Sequence, residues 1–161
     1  MTEQEKKILF QAICESLSYG LKCTTKAQGW PGVYPICGCI GNKIILDCPK
    51  EVEGDDIWLV QNIIPYLRPM SSMTEDEKKE FKKQFGFELH INEIWGDSVI
   101  WNTGSSDEYI DVEFELVDIN LISVWLDKKM FDWRRIKRGN KRISMIKAGL
   151  ALEAPEGMYK F

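Results

Sequence analysis

Two apolar runs, residues 33–40 and 43–48, flank the dipeptide Gly41-Asn42. A connection of two residues turns the chain straight back on itself through a primed turn, whose positive φ glycine accepts without strain. The segment is therefore expected to be an antiparallel hairpin. With Gly41 and Asn42 at its tip, Cys39 faces Ile44 and Cys37 faces Leu46, with both pairs on one sheet face. Residues 21–25 read as a short strand before a loop at 29–32, and an acidic stretch at 50–56 leads to an apolar segment at 57–60.

Helix signals stand at three places. Thr2 with Glu5, and Thr74 with Glu77, each have the spacing of a capping box, in which hydroxyl and carboxylate satisfy two otherwise orphaned N–H groups. Apolar residues at Ile8, Leu9, Ala12, Ile13 and Leu17 predict a helix over 3–18, with Gly20 as its stop. A charged helix over 75–85 is anchored by Phe81 and Phe85 and ended by Gly86. Asp118 can cap a third over 119–130, whose inner side carries Ile122, Trp125 and Leu126. Residues 144–152 suggest a short C-terminal helix stopped by Pro155. Between these, Phe87, Leu89 and Ile91 alternate with polar residues, 96–97 can turn the chain back into 98–101, and Ile110, Val112, Phe114 and Leu116 alternate with acids. Period two with one charged face is the pattern of half-buried antiparallel strands.

The expected class is α+β: an N-terminal helix, a small antiparallel sheet or barrel, and a charged helix linking it to a second small α/β module. The boundaries are 1–74 and 75–161, with one integrated domain as the alternative. At 161 residues the chain is long enough to bury about two thirds of its unfolded surface. No stretch approaches the roughly 20 apolar residues of a spanning helix, and the N-terminal residues lack a signal peptide's apolar region. No membrane partner is expected, and the bacterial host cytoplasm is the expected location.

Three strings, Tyr66-Leu-Arg-Pro-Met-Ser-Ser-Met-Thr74, Phe131-Asp-Trp-Arg134 and Gly149-Leu-Ala-Leu-Glu-Ala-Pro-Glu-Gly-Met-Tyr159, together resemble a family of short uncharacterised proteins of phages, prophages and gut anaerobes. The resemblance implies a phage accessory protein with a compact N-terminal β module, and brings no reaction with it. In that family the second string runs almost directly into the third. Here Trp133 stands where those proteins carry tyrosine, and about ten residues are added.

The addition is basic. Residues 128–147 hold nine Lys/Arg against one acid, Asp132, a local charge of +8, while the rest of the chain carries −12. Arg134, Arg135, Lys137, Arg138, Lys141 and Arg142 surround a turn at Gly139-Asn140. Such a loop can contact an anion: nucleic-acid phosphate, a small anionic ligand or an acidic host protein, with Trp133 and Trp30 available to stack on bases. It can equally neutralise the protein's own acids, for instance Asp111, Glu113 and Glu115. Tyr66 and Arg68 carry a similar pair of readings, ligand contact or packing between modules.

Catalytic motifs are not apparent. His90, the only histidine, sits in a strand pattern without a nucleophile at motif spacing. Glycine loops that cradle phosphate are missing, and no cofactor is expected. Five cysteines, Cys14, Cys23, Cys37, Cys39 and Cys48, without an export signal imply free thiols. The spacing lacks zinc knuckles, so no metal is expected; a zinc site, if formed, would use Cys23, Cys37, Cys39 and Cys48. These features lean away from an enzyme. They favour a non-enzymatic binding protein, such as a host-factor inhibitor or signal-sequestering protein, over a nucleic-acid binder using 134–142 or an enzyme whose site only the fold assembles.

Overall fold

The computed structural model describes residues 1–30, 32–47, 57–86, 88–92, 98–102 and 119–160. The expected strand at 110–116, the Asp118 cap, the acids Asp111, Glu113 and Glu115, and Cys48 lie outside them.

Both capping boxes form. Thr2 Oγ1 accepts from Glu5 N–H at 3.1 Å and Glu5 Oε2 accepts from Thr2 N–H at 3.1 Å, opening helix α1, Glu3–Glu15. Helix α1 is shorter than expected: after Ser16 the chain tightens into a single 3₁₀ turn, Leu17–Tyr19, which Gly20 ends at φ +82°. Its buried side carries Leu9, Ala12 and Ile13. Thr74 and Glu77 repeat the reciprocal cap at α2, Glu75–Phe85, and α3 follows at Ile119–Lys128.

Among the described residues ten strands accompany them: β1 Lys22–Thr25, β2 Tyr34–Ile40, β3 Lys43–Leu46, β4 Ile57–Leu59, β5 Ile63–Leu67, β6 Glu88–Asn92, β7 Ser98–Asn102, β8 Arg135–Arg138, β9 Lys141–Ser144 and β10 Leu152–Glu153. Six build a mixed sheet in the order β10-β5-β1-β2-β3-β4; β6 with β7 and β8 with β9 form two separate hairpins. The fold is α+β. Among the described strands the large sheet is open, with β10 and β4 as its edges, so the barrel alternative gives way to an open sheet.

The expected hairpin is β2–β3, with Cys39 opposite Ile44 as read from the turn, but its register slips at a bulge between Ile36 and Gly38. Leu46 therefore faces Ile36, not Cys37. The extra residue turns Ile36 inward, where it and Leu46 are both buried, and leaves Cys37 exposed. The expected helix at 144–152 also does not form. Met145 to Gly149 make a tight turn instead, its first N–H groups held by Asp132 and Ser144; it closes at Gly149, at φ +77°, where Gly149 N–H bonds to Ile146 O and Leu150 N–H to Met145 O, and the chain then joins the sheet as β10.

Among the described residues two buried clusters result. The larger packs Leu9 and Ile13 of α1 over Leu21, Cys23, Ile36, Ile44, Ile63 and Leu67, and closes with Met130, Ile136, Met145 and Leu150 from beyond residue 75. The smaller joins Met70, Met73, Phe81, Ile122, Trp125, Leu126 and Phe131. Leu67 thus enters one core and Met70 the other. A fully buried Leu, Met or Phe contributes roughly 1.5–3 kcal/mol, so the short string 66–74 is anchored firmly at both ends.

Candidate functional site: a junction of three strings

The three strings meet. Tyr66 and Leu67 of β5 pair in parallel with Leu152 and Glu153, and Leu67 O accepts from Ala154 N–H at 2.8 Å. Tyr159 donates its phenol to Tyr66 O at 2.7 Å and accepts from Lys22 N–H at 3.0 Å, pinning the tail to two strands at once. Burial, followed by smaller influences of neighbouring groups, pushes that phenol up to about 12, so it stays a neutral donor. The middle string completes the contact: Arg68 N–H donates to Met130 O at 2.7 Å and Asp132 N–H to Arg68 O at 2.8 Å.

How α3 ends explains why the middle string reaches Arg68. Phe131 N–H bonds to Leu126 O and Met130 N–H to Asp127 O, the double closure of a Schellman motif, with Phe131 and Leu126 sharing a core. The left-handed position usually given to glycine is held here by Met130, at φ +61°. A left-handed non-glycine residue costs roughly 1–2 kcal/mol. Burial of the Met130 side chain offsets that strain.

Arg68 is held from several sides. Its guanidinium meets Glu77 in a two-pronged ion pair, at 3.0 and 2.7 Å, donates to Lys129 O at 3.2 Å, and lies 4.2 Å from the centre of the Phe131 ring. Burial alone would raise the Glu77 carboxyl; hydrogen bonds from Arg68 and Thr74 outweigh it and leave the group below its ordinary range. One carboxylate thus caps α2 and clamps Arg68. The capping spacing marked Glu77 in the sequence, but only as a helix start.

Beside this clamp runs a cleft of about 750 Å³, bounded by Arg68 and Ser72 of the first string, the first turns of α2, and the tail from Glu153 to Tyr159. Its walls hold five carboxylates, Asp76, Glu77, Glu80, Glu153 and Glu156, against two cations, Arg68 and Lys129. Lys129 is itself 3.5 Å from Glu80. The hydroxyls of Ser72 and Thr74 are turned to Pro69 O and Glu77. The cleft therefore offers negative potential and hydrogen-bond acceptors beside the apolar faces of Pro69 and Pro155.

The basic run becomes the hairpin β8–β9, with Lys137 opposite Arg142 and Arg138 opposite Lys141. Arg134 bonds Asp127 at 2.9 and 3.1 Å, also reaches Glu15 of α1, and stacks 4.5 Å over Trp133, whose indole N–H donates to Asp127 at 2.8 Å. Arg135 donates to Asp132 O and Arg134 O, and Arg138 bonds Glu5 at 2.9 Å. Lys137 is exposed. Burial raises Asp127 and Asp132 above the usual carboxylate range despite their hydrogen bonds. Trp30 packs edge-on against Trp58, 5.1 Å between ring centres, and against Tyr34.

Three of the four cysteines of the zinc alternative lie apart: Cys23 in the core, Cys37 exposed at the bulge, and Cys39 beside Cys14. His90 lies on β6 opposite Ile100. Among the described residues no helix is long and apolar enough to cross a membrane. A scan of the chain against protein-family models, and searches of curated proteins and of solved structures, return no match.

Proposed function

We propose that this chain is a non-enzymatic binding protein of the accessory kind carried by phages and prophages, acting in the host cytoplasm, and that the junction cleft receives a cationic group of its partner. That group is a basic side chain of a host protein or a small polyamine. The observation that supports the reading is that the first and third strings, distant in sequence, line one ligand-sized, acidic cleft together with the first turns of α2. Clefts of one sign of charge concentrate the oppositely charged ligand, and a few polar groups among apolar walls set its orientation. The hydroxyls of Ser72, Thr74 and Tyr159 and the Glu77 carboxylate are already engaged within the protein, which favours holding a ligand over transforming one.

Calorimetric titration with spermidine and with a lysine-rich peptide tests it. Asp76, Glu153 and Glu156 are exposed, so Asp76→Asn, Glu153→Gln and Glu156→Gln together should leave folding unchanged and weaken binding at least tenfold. Equal binding by wild type and triple variant, or none by wild type, defeats the reading.

A second reading rests on the β8–β9 register. It brings Lys137, Arg138, Lys141 and Arg142 into adjacent register positions of one small hairpin, where only the Arg138 pair with Glu5 offsets the concentrated charge among the described side chains. Nucleic-acid phosphate or a small anionic ligand would supply a counter-anion. Binding of labelled DNA or RNA that falls with salt, and is lost in Lys137→Glu/Arg142→Glu, supports this reading over the first.

A further inference from the structure

Cys14 and Cys39 come from different layers of the fold. Cys14 lies on α1, one position beyond the buried Ile13, and Cys39 lies on β2 just past the bulge. Their sulfurs are 3.0 Å apart, so closing a bond of about 2.05 Å needs a movement of only about 1 Å. Both side chains are partly exposed. The other described thiols are placed differently: Cys23 is fully buried, and Cys37 is exposed with its thiol directed at Ile45 O, 3.5 Å away. The bulge produces this arrangement, because the inserted Cys37 shifts the alternation and turns Cys39 toward α1.

We infer that Cys14 and Cys39 form a reversible dithiol/disulfide pair which, when oxidised, staples helix α1 to strand β2. With hydrogen peroxide as oxidant the chemistry balances in two steps. The Cys14 sulfur attacks one peroxide oxygen, the O–O bond breaks, and one water leaves behind a sulfenic acid. The Cys39 sulfur then attacks the Cys14 sulfur; the S–S bond forms, the S–O bond breaks, and the hydroxide leaves with the Cys39 proton as a second water. Two thiols have lost two electrons and two protons, and one peroxide has become two waters. The order of roles follows the environments. Burial first, then the contact with Cys14, pushes the Cys39 thiol up to about 12, which keeps it protonated and out of the first, peroxide-attacking step; in the second step its proton leaves with the departing hydroxide. The bond closes a 25-residue separation, a loop long enough for the cross-link to restrict the unfolded chain appreciably.

The test is peroxide treatment of the wild-type chain followed by thiol counting and peptide mapping without reductant. The expected result is a fall from five alkylatable thiols to three, a mass lower by two hydrogens, and one cross-linked peptide joining Cys14 to Cys39. The melting temperature should rise by about 5–10 °C and return on adding dithiothreitol. Cys14→Ser and Cys39→Ser should each abolish the cross-link, and Cys37→Ser should retain it. Five alkylatable thiols after oxidation, or a cross-link through Cys37, overturns the inference. So does a melting temperature that stays level or falls once the bond has formed. The wild-type mapping decides the pairing even where a serine variant folds poorly.

Discussion

The string around Arg68 and the hairpin around Arg138 both present arginine to acid, yet only one of them would stand out in a charge plot. Arg68 is one cation in a mostly apolar string, and it is held by a two-pronged pair with Glu77, a carbonyl and an aromatic face. Arg138 belongs to a dense basic run, and its partner is Glu5 through a single contact, with 45% of its side chain exposed. Burial and geometry, rather than charge density, separate an arginine that organises a fold from one that borders solvent. The run of +8 is partly spent inside the molecule, on Glu15, Asp127 and Glu5, so the residual potential on that side is smaller than the count implies.

The comparison breaks most sharply at Arg68. Side-chain exposures of 14% and 11% place the Arg68–Glu77 pair near the buried limit, where removing one partner strands the other's charge. Arg68→Met should lower unfolding free energy by about 3 kcal/mol in urea titrations. Adding Glu77→Met should restore part of that loss, since a doubly apolar site leaves no charge behind. A double variant less stable than Arg68→Met would show that Glu77 serves chiefly as the α2 cap.

Met130 tests the same junction at its backbone. Glycine would relieve roughly 1–2 kcal/mol of left-handed strain, whereas deleting a buried methionine side chain costs about 2–5 kcal/mol. Packing wins that balance, and Met130→Gly should destabilise by about 2 kcal/mol. A variant more stable than wild type would mean that the Schellman turn, rather than the core contact, holds the middle string against Arg68.

Local signals explain how much of this was legible. Both capping boxes and the Gly41-Asn42 turn depend on residues within three positions of each other, and all three formed as read. The failures are non-local. Nothing within residues 33–48 shows that α1 will demand Ile36 and Cys39 on one face, which the bulge achieves. Nothing within 144–152 shows that the chain will leave its turn at Gly149 so that Leu152 and Glu153 can pair with β5. The parallel β5–β10 pairing joins strands with no turn between them, so the junction and its cleft could not be read from spacing. Asp132 did leave a trace: a lone acid in a basic run is an acid with an internal duty.

Acid should sharpen the contrast. Glu77 titrates below its ordinary value of 4.5, so the stability it contributes is complete above that pH and is lost as pH falls through the lower folded value. Asp127 and Asp132 are shifted upward and act in the opposite sense: their contribution is largest below 3.8, their ordinary value, and is lost as pH rises through the raised folded values. The stability gap between wild type and Glu77→Gln should therefore be widest near neutrality and narrow as pH falls below 4.5 toward the lowered folded value. Equilibrium unfolding at a series of pH values measures it. A gap independent of pH would mean that Arg68 responds to the shape of the Glu77 side chain and not to its charge.

The smallest effect belongs to the hairpin. Arg138 is almost half exposed, and Glu5 keeps its hydrogen bond from Thr2 N–H when the arginine is removed, so its carboxylate is not stranded. Arg138→Met should cost only about 0.5 kcal/mol, the range of partly exposed ion pairs, and the cost should shrink as salt screens the pair. Lys137→Met, at an exposed strand position, should fall within about 0.5 kcal/mol of wild type. Thermal melts of both variants at low and high ionic strength decide the matter. Near-silent melts leave the hairpin's outward cations free for an external anion. A loss at Arg138 as large as at Arg68 would instead make the hairpin a brace for α1, bound through Glu5, and the distinction between the two regions would fail.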